Sequence, residues 1–303
     1  MQLHVKDETA TLKSVVLGRA DHLGPIPDVN ALYDPKSISH LKNGTYPKEK
    51  DLIPEMDAFK LVLEKHGVTV IRPGSIADCN QIFARDLGFV IDDCFVFSNI
   101  LPLREKELDG IKGLVTHFFS TKIIRLHEEA HIEGGDVILF GDHIFVGVCT
   151  RPDYPEIITA RTNWRAIEEL RKNFPHKKIH PLELRKSKDP YLNALHLDCV
   201  FQPVGSTLAI LHPEGFENQS EYNALKAHFK DENCFEITSK EMYEMSCNVF
   251  SISPTVVVSD PAFKRLNQWL TAKGIMVEEV SYREVAKQEG LFRCSTLPLN
   301  RLK

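Results

Sequence analysis

Gly135-Asp136-Val137-Ile138-Leu139-Phe140-Gly141-Asp142-His143-Ile144-Phe145-Val146-Gly147 writes two short apolar runs around a Gly-Asp pair. A polar start, an apolar strand, a tight polar turn and a second apolar strand are the signature of a β-hairpin. The unit recurs as Arg85 to Phe97 around Asp92-Asp93, as Leu197 to Leu211 around Gly205-Ser206, and as Cys247 to Ser259 around Ser253-Pro254. Asp86, Asp136, Asp198, Cys247 and, near the far end, Cys294 head successive copies about every 50 residues, a period that points to a propeller or a similar array.

Between the hairpins lie segments with helical spacing, each followed by one more apolar strand. They are Pro54 to His66 before Val68–Ile71, Asn163 to Asn173 before Lys178-Ile179, Glu221 to Lys230 before Cys234–Ile237, and Pro261 to Lys273 before Met276–Val280. The repeating unit is therefore ββαβ and the class α/β. Leu12–Gly18 reads as the strand that completes the unit begun by Cys294, so both ends of the chain would close the array. No linker or low-complexity stretch divides the chain, and one catalytic domain over 1–303 is expected.

Composition bounds the function. The 303 residues are 43% hydrophobic and 26% charged with a net charge of -5, as in an ordinary globular protein without a general affinity for nucleic acid or an anionic membrane. No apolar run reaches the roughly 18 to 20 residues of a membrane span, and the start lacks a secretory h-region, so a cytoplasmic protein is expected. Seven scattered cysteines without a C-x-x-C pair fit free thiols in a reducing compartment. A homo-oligomer is compatible with all of this.

The starts of the hairpins hold Arg85-Asp86, Glu133-Gly134-Gly135-Asp136, His196-Leu197-Asp198 and Cys294, which an array would bring together. Each has an ordinary structural use: an ion pair with Arg85, a satisfied core histidine, a turn cap, a cysteine packed as a small hydrophobe. Their shared position in successive units favours a common site instead. A thiol, a histidine and several carboxylates form a nucleophilic constellation. Several acids around a thiolate would repel it unless a cation lies between them, and a planar guanidinium, which carboxylates grip in bidentate fashion, fits best. Such a cation would also lower the pKa of Cys294.

Phe83-Ala84-Arg85-Asp86, Glu133-Gly134-Gly135-Asp136-Val137, His196-Leu197-Asp198 and Arg293-Cys294-Ser295, in this order, resemble the guanidino-group-modifying (pentein) superfamily of arginine deiminases, dimethylarginine dimethylaminohydrolases and amidinotransferases. The resemblance covers nearly the whole chain. It implies a five-fold pseudosymmetric α/β propeller, no metal or organic cofactor, and a small guanidino substrate such as arginine or a derivative. It also implies roles: Cys294 attacks the guanidino carbon, and His196, beside Glu133, is the general acid and base. Asp86 and Asp198 hold the guanidinium, with Asp136 in the same set. Arginines of the family hold the substrate's α-carboxylate. Arg104 in Leu103-Arg104-Glu105 and Arg161 in Arg161-Thr162-Asn163 match in character, while Arg151 competes because Arg151 through Ala160 reads as an insertion. Where relatives place a further carboxylate upstream of Asp86, this chain has Asn80. The implied activity is hydrolysis at the guanidino carbon, with amidino transfer to an amine as the alternative.

His127-Glu128-Glu129-Ala130-His131 spells the zinc-peptidase signature H-E-x-x-H, which needs a helix to present both histidines on one face. Strand-like Ile123–Leu126 precedes it and Gly134-Gly135 follow, and Val137 stands where a third ligand would fall. A guanidino-binding protein without turnover would need neither Cys294 nor His196.

Overall fold

The structure is a computed structural model that describes residues 2–118, 122–151 and 157–302. β1 (Thr11–Leu17) pairs in parallel with β2 (Thr69–Ile71), after α1 (Pro35–Lys42) and α2 (Glu49–Lys65). Four units of one plan follow. β3 (Gly88–Ile91) and β4 (Cys94–Phe97) form an antiparallel pair, and β5 (Ile123–Arg125) joins β4 in parallel across α3 (Asp109–Phe118). β6 (Val137–Phe140), β7 (His143–Val148) and β8 (Lys178–Glu183) repeat this across α4 (Trp164–Asn173). β9 (Phe201–Val204), β10 (Leu208–Leu211) and β11 (Cys234–Glu236) do so across α5 (Gln219–Phe229). β12 (Phe250–Ser253), β13 (Val256–Ser259) and β14 (Met276–Glu279) do so across the helix Lys264–Ala272. β15 (Thr296–Leu302) then pairs with β1, antiparallel, to give the last of five three-stranded sheets.

The hairpin turns fall where the polar pairs stand, with Asp92 and Gly141 at φ of 54° and 61°. Three helices lie within a few residues of their expected bounds, and Asn163 and Asn218 cap two of them by accepting from Ala166 N and Ser220 N. α2 differs: it starts at Glu49 rather than at Pro54, because Pro54 lies early in the helix and Glu49 and Asp51 favour its positive end. Leu52, Met56, Phe59 and Leu63 form its buried stripe. α3 was not expected, since Gly110 and Gly113 weaken its helical pattern. α1 escaped reading although Asp34-Pro35 spells an N-cap followed by proline at the first turn.

Apolar residues of the strands and inward helix faces make two buried clusters. Phe292 packs edge-on to Phe59 at 5.0 Å between ring centroids and stacks on Tyr282 at 4.6 Å, which ties the turn before β15 to α2. Among the described residues no helix is long and apolar enough to cross a membrane.

Candidate active site

Each sheet's first strand is preceded by a short turn, and these head turns touch one another in order. Cys294 O accepts from Arg85 N at 3.0 Å. Asp86 Oδ1 accepts from Gly135 N at 3.2 Å, and Asp136 Oδ1 from Leu197 N at 2.9 Å. Asn248 Nδ2 donates to Asp198 O at 3.3 Å, while Asn248 Oδ1 accepts from Cys294 N at 3.0 Å. The cycle passes through all five units and returns to its start. Gly135 is required where it stands: a Cβ there would lie 2.7 Å from the His196 ring and 2.9 Å from Asp86 Oδ1.

His196 Nε2 is hydrogen-bonded to Glu133 Oε2 at 2.8 Å, and its Nδ1 lies 3.9 Å from Asp86 Oδ1. Burial disfavours the imidazolium, but Asp86, Asp136 and Glu133 outweigh it and hold the pKa at about 9. Burial likewise acts against the Glu133 carboxylate, yet Arg161, His196 and Arg104 bring its pKa below the ordinary range. The pair rests as imidazolium and carboxylate, ready to give up a proton.

Cys294 is 2% exposed. Its Sγ donates to Asp198 Oδ2 at 3.5 Å and accepts from Asn248 Nδ2 at 3.2 Å. Burial, then the charges of Asp198 and other neighbours including Asp86, push the thiol well above its ordinary pKa. A cation at those carboxylates reverses the second effect.

The arginines divide. Arg104 Nη1 donates to Asp86 Oδ2 at 2.7 Å and lies 3.6 Å from Glu133 Oε2, while its Nε and Nη2 each reach Glu107 at 2.8 Å. Arg161 Nη1 donates to Glu133 Oε2 at 2.9 Å and Nη2 to Tyr33 O at 2.9 Å. Both are buried, with the Tyr33 ring over them at 5.4 and 5.2 Å. Arg151 is exposed, whereas Arg104 and Arg161 are buried in this cluster; residues 152–156 of the expected insertion lie outside the described residues. Asp136 accepts from Thr162 Oγ1 at 2.7 Å as well as from Leu197 N, so both its oxygens hold neighbouring turns in place.

Asp86, Glu133 and His196 present ligand atoms within 4.8 Å of one another, a spacing that also suits a metal ion. A cation already lies against Asp86 and Glu133, the guanidinium of Arg104. His127 to His131 form a turn instead of a helix, so the H-E-x-x-H spelling lacks the geometry of a zinc peptidase; a strand leads into it and the Gly134-Gly135 turn follows.

Besides Glu107 and Tyr33, the partners of the two arginines, two residues of the centre were missed in the sequence. Asn248 heads the fourth hairpin in the position that Asp86, Asp136 and Asp198 occupy in theirs, so the repeat itself carried the signal. Glu8 accepts from Arg293 Nη2 at 3.0 Å and from Arg85 Nη1 at 3.4 Å, and Arg293 Nη1 donates to Asp198 Oδ2 at 2.8 Å. Nothing near Glu8 in the sequence marks it.

Comparison with known proteins agrees with this arrangement. The family described as N,N dimethylarginine dimethylhydrolase, eukaryotic, matches residues 41–301. Uncharacterized protein YkgA of Bacillus subtilis is 28% identical over 300 residues, 98% of this chain and 94% of its own. The arginine deiminase of Listeria monocytogenes serotype 4a is 27% identical over 262 residues, 73% of this chain and 61% of the deiminase. In fold, the N-terminal domain of ArgZ, an arginine dihydrolase from cyanobacteria, superposes with a TM-score of 0.79 at 16% identity, covering 95% of this chain and 97% of that one. SxtG, an amidinotransferase from Microseira wollei, does so with a TM-score of 0.76 at 17% identity, covering 99% and 98%. The chain thus belongs to the N,N dimethylarginine dimethylhydrolase family and, with it, to the guanidino-group-modifying (pentein) superfamily of amidine-acting hydrolases and amidinotransferases.

Proposed function

We propose that the chain is a cysteine-dependent hydrolase acting on the guanidino carbon of arginine or an Nω-substituted arginine. The observation that carries this reading is a buried thiol, 3.5 Å from Asp198 Oδ2, in the same cycle of turns as the His196–Glu133 pair. Asp86 and Asp198 take the substrate guanidinium, whose charge favours loss of the Cys294 proton to solvent. The thiolate adds to the guanidino carbon, and the C–N bond to the departing amine breaks as His196 gives it a proton. Nδ1 is the atom for this, since Nε2 is engaged by Glu133. Neutral His196 then takes a proton from water as its oxygen adds to the same carbon, and the C–S bond breaks to return the thiolate. One guanidine and one water yield a ureido product and an amine.

Asp136 supports the pair from behind. Arg104 and Arg161, with Tyr33 over them, are the candidates for the far end of the substrate; Arg104 must first leave Asp86. The seven free cysteines suit a reducing compartment, consistent with a cytoplasmic enzyme.

Mass spectrometry of products tests the reading. Wild-type and Cys294→Ser protein are offered arginine, methylated arginines, agmatine and guanidinoacetate, with and without glycine or ornithine. A ureido product made by the wild type alone is expected. A new guanidino compound formed only with an amine acceptor would replace hydrolysis by amidino transfer, and the absence of any product would sink both.

A further inference from the structure

The strap Tyr33–Lys42 meets the candidate site at Tyr33, whose carbonyl accepts from Arg161 Nη2 and whose ring lies against Arg104 and Arg161, and one side chain ties it to two of the turns that carry the site. Glu289 Oε2 accepts from Lys36 N, in the first turn of α1, at 3.2 Å. Glu289 Oε1 accepts from Asn193 Nδ2 at 2.8 Å. Asn193 stands in the approach to His196, and Glu289 in the approach to Cys294. The position is not one that a glutamate takes for convenience: its φ is 56°, a conformation that costs a non-glycine residue about 1 kcal/mol.

Asp34 faces the same helix end, accepting from Ser37 N at 2.6 Å. Asp34 and Glu289, 3% and 5% exposed, are therefore neighbouring carboxyls out of reach of bulk water. Burial, with the Asp34 carboxyl beside it, disfavours the charged form of Glu289. The other charged or titratable groups around them are Lys36, which donates to Tyr243 O and lies over the Tyr243 ring at 4.4 Å, His40 on the same helix, the phenols of Tyr33, Tyr46 and Tyr243, Cys199, and the Arg283–Glu244 pair at 2.9 Å. Neither carboxylate has a salt bridge among the described residues.

We propose that Glu289 is a positioning residue that latches the strap to the turns before His196 and Cys294 through Lys36 N and Asn193. The proposal needs the guanidino reading only to call the turns catalytic.

The sign follows from the shifts. Burial, with Asp34 beside it, pushes Glu289 up to about 8. A raised carboxyl stabilises the closed strap in full below its ordinary pKa and loses that contribution as pH rises through about 8. Lys36, pushed down to about 8 by burial, acts in the opposite sense, and its contribution is already absent below that pH. His196, held at about 9, contributes in full below its ordinary value of 6.5. Between pH 5 and 6.5 the strap should therefore loosen as Glu289 gives up the proton it holds only when closed. Glu107 and Asp136, whose carboxyls are also held up, and His40, which burial holds down so that it acts in the opposite sense, are common to wild type and variant and cancel in their comparison.

Amide deuterium exchange over Tyr33–Lys42, corrected for intrinsic rate, reads this without reference to turnover. One proton released per opening lowers protection by up to about 30-fold between pH 5 and 6.5 in the wild type. Glu289→Gln, which cannot give up a proton, should abolish that fall. The same fall in Glu289→Gln, or none in the wild type, overturns the proposal. Should Glu289→Gln fail to fold, carboxyl-13C NMR of the unaltered protein decides: a Glu289 midpoint near 8 supports the latch, and one in the ordinary carboxylate range ends it.

Discussion

Two buried ionic clusters meet at the head turns, and they are built to different standards. The first joins Asp86, Glu107 and Glu133 to Arg104, Arg161 and His196, with charges in balance. The second joins Glu8 and Asp198 to Arg85 and Arg293, with Arg301 close by. In the second, Arg85 Nη2, Arg293 Nε and Arg301 Nε lack a hydrogen-bond partner among the described residues, and backbone oxygens of Val137, Ala10 and Ser251 take up part of the excess positive charge. In the first, every guanidinium nitrogen of Arg104 and Arg161 has a partner, and His196 Nδ1, 3.9 Å from Asp86 Oδ1, is left open. Burial and the charge of Arg293 bring Arg85 down to about 10, a sign of crowding among cations. A cluster that holds a fold together can tolerate unsatisfied donors. On the proposed mechanism the first cluster must orient a proton on that one His196 nitrogen, and each loose partner among its arginines would be a further rotation for the group that reacts.

The contrast can be broken most severely at the nucleophile. Cys294→Ser should reduce product formation by roughly 10⁴-fold or more while leaving the thermal unfolding midpoint within a few degrees; a variant that still turns over substrate refutes the assignment. Glu8→Gln should do the reverse. Removing one partner of a buried ion pair costs about 3 to 5 kcal/mol, so chemical denaturation should show a large loss of stability, with kcat of the folded fraction changed only a few-fold.

Glu133→Gln separates the clusters by pH. His196 is held at about 9, so its acid form persists below that pH and is lost above it. Without the Glu133 carboxylate the alkaline limb of the rate profile should move down toward 6.5, with kcat lowered on the order of 10²-fold. An unmoved limb would remove His196 as the acid. The smallest effect is expected at Asn248→Ala, which frees Cys294 N and Sγ at a cost of about 1 to 2 kcal/mol in stability; faster alkylation of Cys294 at fixed pH should report the loosened turn.

The sequence made the repeat legible because tight turns and alternating strands are local features: Gly141-Asp142 and Asp92-Asp93 announce hairpins without reference to the rest of the chain. It made Cys294, His196, Glu133, Asp86 and Asp198 legible because each repeats a position. Arg104 and Arg161 stand out in the sequence, but their partners do not, since nothing in Leu103-Arg104-Glu105 tells that the guanidinium lies on Asp86. Glu8, Glu289 and the strap were invisible for the same reason. Their contacts join segments from opposite ends of the chain, and no spacing rule reaches across such a distance. Asn248 is the exception: the repeat places it level with Asp86, Asp136 and Asp198, but a neutral amide beside Cys247 carries no charge to mark it.

β15, which follows the Cys294 turn, pairs with β1 from the other end of the chain. The four middle sheets can each form from neighbouring segments, whereas this last pairing requires closure of the longest loop, the slowest kind of contact to make. Until β15 pairs with β1, His196, Glu133 and Asp86 have no thiol docked among them. If Cys294 is the nucleophile proposed above, an incompletely assembled molecule is also an inert one.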